Sequence, residues 1–144
     1  MLERYTLKKK SSKRVMSPPK PNIADNKEQL MGSVGGVDAS DLEERFARGL
    51  YKRKKEFYFR VPLGEVRQPG WKELDFLIID GGYFPVEIDE TGFIHQGKET
   101  EDALKDGYIM DYLKMFNPHP VRRVSGDKLQ NQEMADNIVE EMFP

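Results

Sequence analysis

At 144 residues, with 38% hydrophobic and 33% charged side chains, the chain has material for one domain with one modest core. The absence of Cys excludes disulfides, thiolate zinc sites and thiol catalysis, and leaves His95 and His119 as the only imidazoles. No apolar run approaches a membrane span and the basic N-terminus lacks the apolar segment of a secretory signal, so the expectation is a soluble, intracellular protein of the cytoplasm or nucleoid, with no membrane partner.

The formal net charge of -2 conceals an asymmetry, because residues 1–38 carry eight Lys and Arg against four acids while the remainder carries fifteen against twenty-one. Lys8-Lys9-Lys10-Ser11-Ser12-Lys13-Arg14, followed by Pro18-Pro19-Lys20-Pro21, cannot bury a core. The chain therefore divides into a basic, Pro- and Gly-rich arm at 1–38 and a folded domain at 39–144. Lys8, Lys9, Lys10, Lys13 and Arg14 are candidate contacts to nucleic-acid phosphates. A tail that keeps the protein soluble, or one that lies on a protein partner, is the competing reading.

After a glycine-rich joint at Gly32 to Gly36, Ser40 to Lys55 predicts a helix. Ser40 and Glu43 fit a capping box, in which each side chain satisfies an orphan main-chain donor. At about 100° per residue, Phe46, Ala47 and Leu50 lie within about 60° of Glu43. Glu43 thus sits on the buried stripe, where a carboxylate is costly unless paired or metal-linked, and a site role stands beside the capping one. Glu44 is the neighbouring alternative.

Glu56 to Leu63 predicts a strand ending near Pro62, and Gly64 to Gly70 a loop. Glu73 to Glu90 then reads as a β-hairpin, with Asp80-Gly81-Gly82 supplying the positive-φ positions of a tight loop. Side chains alternate faces along a strand, so Trp71, Glu73, Asp75 and Leu77 are expected on one face, Glu87 and Asp89 on one face of the second arm, and Phe84, Val86 and Ile88 on the other. A three-residue loop pairs Ile79 with Tyr83 and Asp75 with Glu87, leaving Asp89 diagonal to both; a two-residue loop separates the acids. Three neighbouring carboxylates repel one another, and Mg²⁺ would offset that cost while activating water against a phosphodiester. The bland alternative is a solvated edge strand.

Thr91 to Glu99 reads as a loop holding His95, whose place after the acidic strand suits proton transfer. Thr100 to Phe116 predicts a helix capped by Thr100, with Ala103, Leu104, Tyr108, Met110, Leu113 and Phe116 as its apolar positions. Lys98, Lys105 and Asp106 default to a solvated face. Trp71 and Tyr83 are core or rim aromatics, or surfaces for base stacking. Asn117-Pro118-His119-Pro120 ends the helix, Pro120 to Val124 is a short strand, and Asn131 to Phe143 is a helix with Met134, Ala135, Ile138, Val139, Met142 and Phe143 on one side.

Glu43 on the first helix, Glu73-Leu74-Asp75-Phe76-Leu77-Ile78, Pro85-Val86-Glu87-Ile88-Asp89 and the later His95 resemble the PD-(D/E)xK nuclease superfamily, in particular its very-short-patch-repair-like endonuclease branch, over about Ser40 to Phe143. The resemblance implies an α/β (α+β) restriction-endonuclease-like fold, a central mixed sheet flanked by helices, here preceded by the extended basic arm. It implies an endodeoxyribonuclease that hydrolyses DNA with Mg²⁺ or Mn²⁺ held by Asp75, Glu87 and Asp89, and with Glu43, Asp75, Glu87, Asp89 and His95 as catalytic residues. The chain departs from the pattern at Asp89, where the superfamily name places a Lys, at Glu90 in place of a Gly, and in the displaced His95. Lys98 or Lys105 can supply the missing cation. Otherwise the fold is an inactive one, serving as a structural or DNA-binding subunit of a larger nucleoprotein or viral (phage or mobile-element) assembly, ordered through its arm.

Overall fold

The computed structural model describes residues 29–64, 72–90 and 98–144, so the arm residues Lys8, Lys9, Lys10, Lys13 and Arg14, together with Trp71 and His95, lie outside the described residues. The glycine-rich joint is a small antiparallel hairpin, β1 (Ser33–Val34) and β2 (Val37–Asp38), turned by Gly35 and Gly36 at φ 58 and 84. Val34 is buried in the main core, which therefore takes in residues that composition alone assigns to the arm.

Helix α1 (Asp41–Lys52) starts with both halves of the expected capping box: the Glu43 amide donates to Ser40 Oγ at 3.1 Å and the Ser40 amide donates to Glu43 Oε1 at 2.9 Å. Strands β3 (Glu56–Leu63), β4 (Lys72–Ile79) and β5 (Tyr83–Asp89) form an antiparallel meander. The β4–β5 connection is the three-residue loop, with Ile79 opposite Tyr83 and Gly81 at φ 69. Helix α2 (Lys98–Tyr112) crosses over to β6 (Arg122–Ser125), which pairs parallel to β5, and α3 (Gln132–Met142) follows. The protein is thus mixed α/β, with a four-stranded mixed sheet of order β3-β4-β5-β6 and three α-helices among the described residues.

Each sheet face buries its own apolar set. On one, Phe57, Phe59, Phe76, Ile78, Val86, Ile88 and Val124 pack with Phe46, Ala47 and Leu50 of α1 and with Ala135 and Val139 of α3. The helices meet closely there: a Cβ on Gly49 would stand 3.0 Å from Val139 Cγ2 and 3.3 Å from the Ala135 carbonyl oxygen. On the other face, Tyr58, Val61, Leu63, Leu74 and Leu77 pack with Ile109 and Leu113. The apolar face expected of α2 is accordingly corrected in part: Leu104 is 71% exposed and Tyr108 46%, whereas the expected Leu113, just past the helix, is buried beside Ile109. It also starts at Lys98, before the expected cap Thr100, and the sequence beyond Tyr112 tightens into a 3-10 turn at Lys114–Phe116.

Strict face alternation breaks once in β3 and once in β4, at the same level of the sheet. Odd-numbered Phe57 and Phe59 belong to the α1 and α3 side, whereas odd-numbered Val61 and Leu63 belong to the α2 side; even-numbered Phe76 and Ile78 face α1 and α3, whereas Leu74 faces α2. The breaks fall at Arg60 and Asp75, between the partnered residues Phe59–Phe76 and Val61–Leu74. Arg60 has φ 57, a left-handed conformation that costs a residue with a side chain about 1–3 kcal/mol in a strand that otherwise repeats extended dihedrals. The expectation that Glu73, Asp75 and Leu77 simply share a face is therefore replaced by a pair of strands that turn over at Asp75.

Candidate functional site

Asp75 and Glu87 sit where the β4–β5 ladder gives way. Main-chain pairing runs from Ile79–Tyr83 to Phe76–Val86, and at the next position the carboxylates take over: the Asp75 amide donates to Glu87 Oε2 at 2.8 Å and the Ile88 amide donates to Asp75 Oδ2 at 2.8 Å. The two acids are held side by side by amides of the facing strands, the Asp75 amide for Glu87 and the Ile88 amide for Asp75, in the register that a three-residue loop requires. Burial pushes the Asp75 carboxyl up to about 7, helped by the neighbouring Glu87 and, less, Glu43, and opposed by the Ile88 amide and Lys105. Lys105 reaches in from α2 to form an ion pair with Glu87 Oε1.

Glu43 fills both roles weighed for it. Its carboxylate closes the capping box, and the same Oε1 accepts from Arg60 Nη2 at 3.0 Å in the wall of the cleft. Arg60 also reaches Glu73 Oε1, at 3.4 Å. Glu44, the alternative, is consumed structurally: it accepts from the Met31 and Gly32 amides and pairs with Arg48 at 2.7 Å, tying the β1–β2 hairpin to α1.

Glu43, Arg60, Asp75, Glu87, Asp89 and Lys105 line one open cleft of about 420 Å³. Asp89 borders it without completing a three-carboxylate set with Asp75 and Glu87; among the described residues no three Asp, Glu or His side chains gather as a ready metal group. Arg123, flanking Glu87 on β6, is held by Asp102 and Asp106 of α2. Sequence reasoning missed Arg60 and Arg123; it gave Lys105 a solvated face as its default and named it, with Lys98, as a source of the missing cation. The available signal for Arg60 was a lone cation inside the apolar run Phe57 to Leu63.

Comparison of the chain with protein-family models, curated proteins and solved structures finds no match. Among the described residues, no helix is long and apolar enough to cross a membrane.

Proposed function

We propose that the protein is a divalent-metal-dependent endodeoxyribonuclease with a restriction-endonuclease-like fold, hydrolysing DNA phosphodiester bonds in the cleft at Asp75 and Glu87. One observation carries the reading: two carboxylates from adjacent strands abut where those strands part, at the open end of a hairpin, with a lysine from the crossover helix beside them. The element order supports it, since a helix bearing a buried Glu precedes three antiparallel strands, a crossover helix and a parallel strand.

The donor set suits Mg²⁺ or Mn²⁺, which takes one or two carboxylates and completes its shell with water and phosphate oxygens. Burial first, and the neighbouring Glu87 second, hold the Asp75 proton near neutral pH, and a cation there offsets both. Asp75 and Glu87 would hold the ion, with Asp89 and Glu43 reaching it through water; bound, it supplies an activated water and neutralises charge on the phosphodiester. Lys105 places its ammonium beside the acid pair, the part that the superfamily's Lys takes at the position filled here by Asp89. His95 is assigned proton transfer to the leaving oxygen, and the basic arm a clamp on flanking phosphates.

Asp75→Asn tests the assignment. The variant should lose at least about 100-fold in plasmid cleavage with Mg²⁺ or Mn²⁺ while keeping its fold by circular dichroism; cleavage at the parental rate sinks it.

A second reading, an inactive nuclease fold serving as a structural or DNA-binding subunit, draws on the fact that Glu43 and Glu87 already carry ion pairs to Arg60 and Lys105 of the same chain. The basic arm would then bind DNA or a protein partner. A calorimetric titration with Mg²⁺ or Mn²⁺ that gives no saturable heat favours it.

A further inference from the structure

Arg60 is an arginine where the backbone suits glycine. It adopts φ 57 in the middle of β3, whereas the other positive-φ residues with side chains, Lys54 and Asn117, follow helical turns. Its guanidinium spans two elements, with Nη2 at 3.0 Å from Glu43 Oε1 on α1 and Nη1 at 3.4 Å from Glu73 Oε1 on β4, and it lies over the Phe59 ring, 5.3 Å from the centroid. The turn-over at Arg60 and Asp75 places this cation among the cleft acids. A planar fork bridging two carboxylates does for them what a divalent ion does: it neutralises both and fixes their separation, without exchangeable ligands.

The geometry points to Arg60 as a built-in replacement for a second metal ion, so that the cleft takes one divalent ion, at Asp75 and Glu87, while Glu43 is held by the guanidinium. The inference rests on the nuclease reading and deepens it. A second ion at Glu43 would have to sit against a fixed positive charge already in contact with its ligand, which like-charge repulsion opposes. Arg60 is on this account a positioning residue, and its loss should change how many ions bind before it changes anything else.

The test is a Mn²⁺ titration of the full chain by calorimetry, with bound Mn²⁺ counted by electron paramagnetic resonance. Wild type should bind one ion. Arg60→Met, which keeps the side-chain stem and removes the charge, should gain a second, weaker ion, and adding Glu43→Gln should remove it again. Arg60→Gly, whose backbone is at ease at φ 57, should repeat the gain without backbone strain, and Arg60→Lys should stay at one. Two ions in wild type, or a single ion of unchanged affinity in both Arg60→Met and Arg60→Gly, overturns the inference alone, provided that Asp75→Asn abolishes the first ion. No ion in wild type overturns the nuclease reading and the inference with it.

Discussion

The two ends of the β4–β5 hairpin are made from the same kind of strand and hold together by opposite means. At the turn end, Ile79 pairs with Tyr83 and Ile78 with Phe84 through the main chain alone, the Asp80 amide donates to the Gly82 carbonyl oxygen at 3.0 Å, and the apolar side chains fill both cores. At the open end the ladder stops, and its donors are met by the Asp75 and Glu87 carboxylates, one of which resists ionisation. A closed ladder is satisfied without help, whereas an opened one presents acids that are satisfied only in part. The hairpin thus concentrates its stability at one end and its chemistry at the other.

The largest effect should come from the residue joining the two regimes. Phe76 is the last fully paired position, and its ring meets Phe46 and Phe59 at 5.0 Å and Phe57 at 5.8 Å. Phe76→Ala should lower the unfolding free energy by about 3–5 kcal/mol in urea titrations. A loss under about 1 kcal/mol would mean that the core does not bear on this joint.

Next in size is the pH dependence of the open end. The Asp75 carboxyl is raised from 3.8 to about 7 on folding, so between those values the folded state holds the proton more tightly than the unfolded one. Its contribution is fully present below the unfolded value and is lost as pH rises through about 7. Wild type without metal should therefore lose up to a few kcal/mol between pH 4 and pH 7 relative to Asp75→Asn, read from denaturant midpoints at each pH. Parallel profiles for the two proteins would contradict the assignment of the cost to Asp75.

Changes at the turn should be smaller and silent in the cleft. Gly81 has φ 69 with nothing within 4 Å of an added Cβ, so Gly81→Ala meets conformational strain alone, about 1–2 kcal/mol, with the proposed DNA cleavage unchanged. The Lys55–Asp80 pair across the loop, at 3.0 Å and partly exposed, should contribute less than about 1 kcal/mol, measured by a double-mutant cycle with Lys55→Ala and Asp80→Ala. A cleavage defect in either case would mean that the two ends communicate.

What the sequence made legible was local. The Ser40–Glu43 box and the hairpin turn at Asp80 to Gly82 follow from chemistry within a few residues of one turn or cap, whereas the adjacency of Asp75 and Glu87 hung on a loop length, two residues or three, that sequence left open. Glu43 on the buried stripe followed from helical period, and its burial to 2% agrees. What escaped depended on departures from period or on partners far along the chain. The turn-over at Arg60 and Asp75 violates the alternation on which strand reading depends, and no residue type announces it, because an arginine in left-handed conformation looks like any other in sequence. Lys105 pairs across a crossover, and on a helix rich in acids its local pattern suggests a wet surface; only the resemblance raised it, beside Lys98, as a source of the missing cation. The exposed Leu104 misled for a similar reason, since apolar spacing does not say which of two faces a short helix will bury.

The close crossing of α1 and α3 bears on how the cleft comes into being. Lys52 and Asp136, 84 positions apart, meet at 2.6 Å beside Gly49, and Phe143 is buried in the same core as Phe46. During synthesis the meander β3-β4-β5 can close early on local contacts, and the helix that carries Glu43 can lay Phe46 on Phe76, but the α3 side of its packing, at Gly49 and Val139, is missing until α3 has been made. The acid pair is thus assembled before the wall that faces it is complete, and full amide protection in α1 should appear together with that in α3, after the hairpin, in pulse-labelled hydrogen exchange. A nascent chain would carry its chemistry before it carries the cleft that confines it.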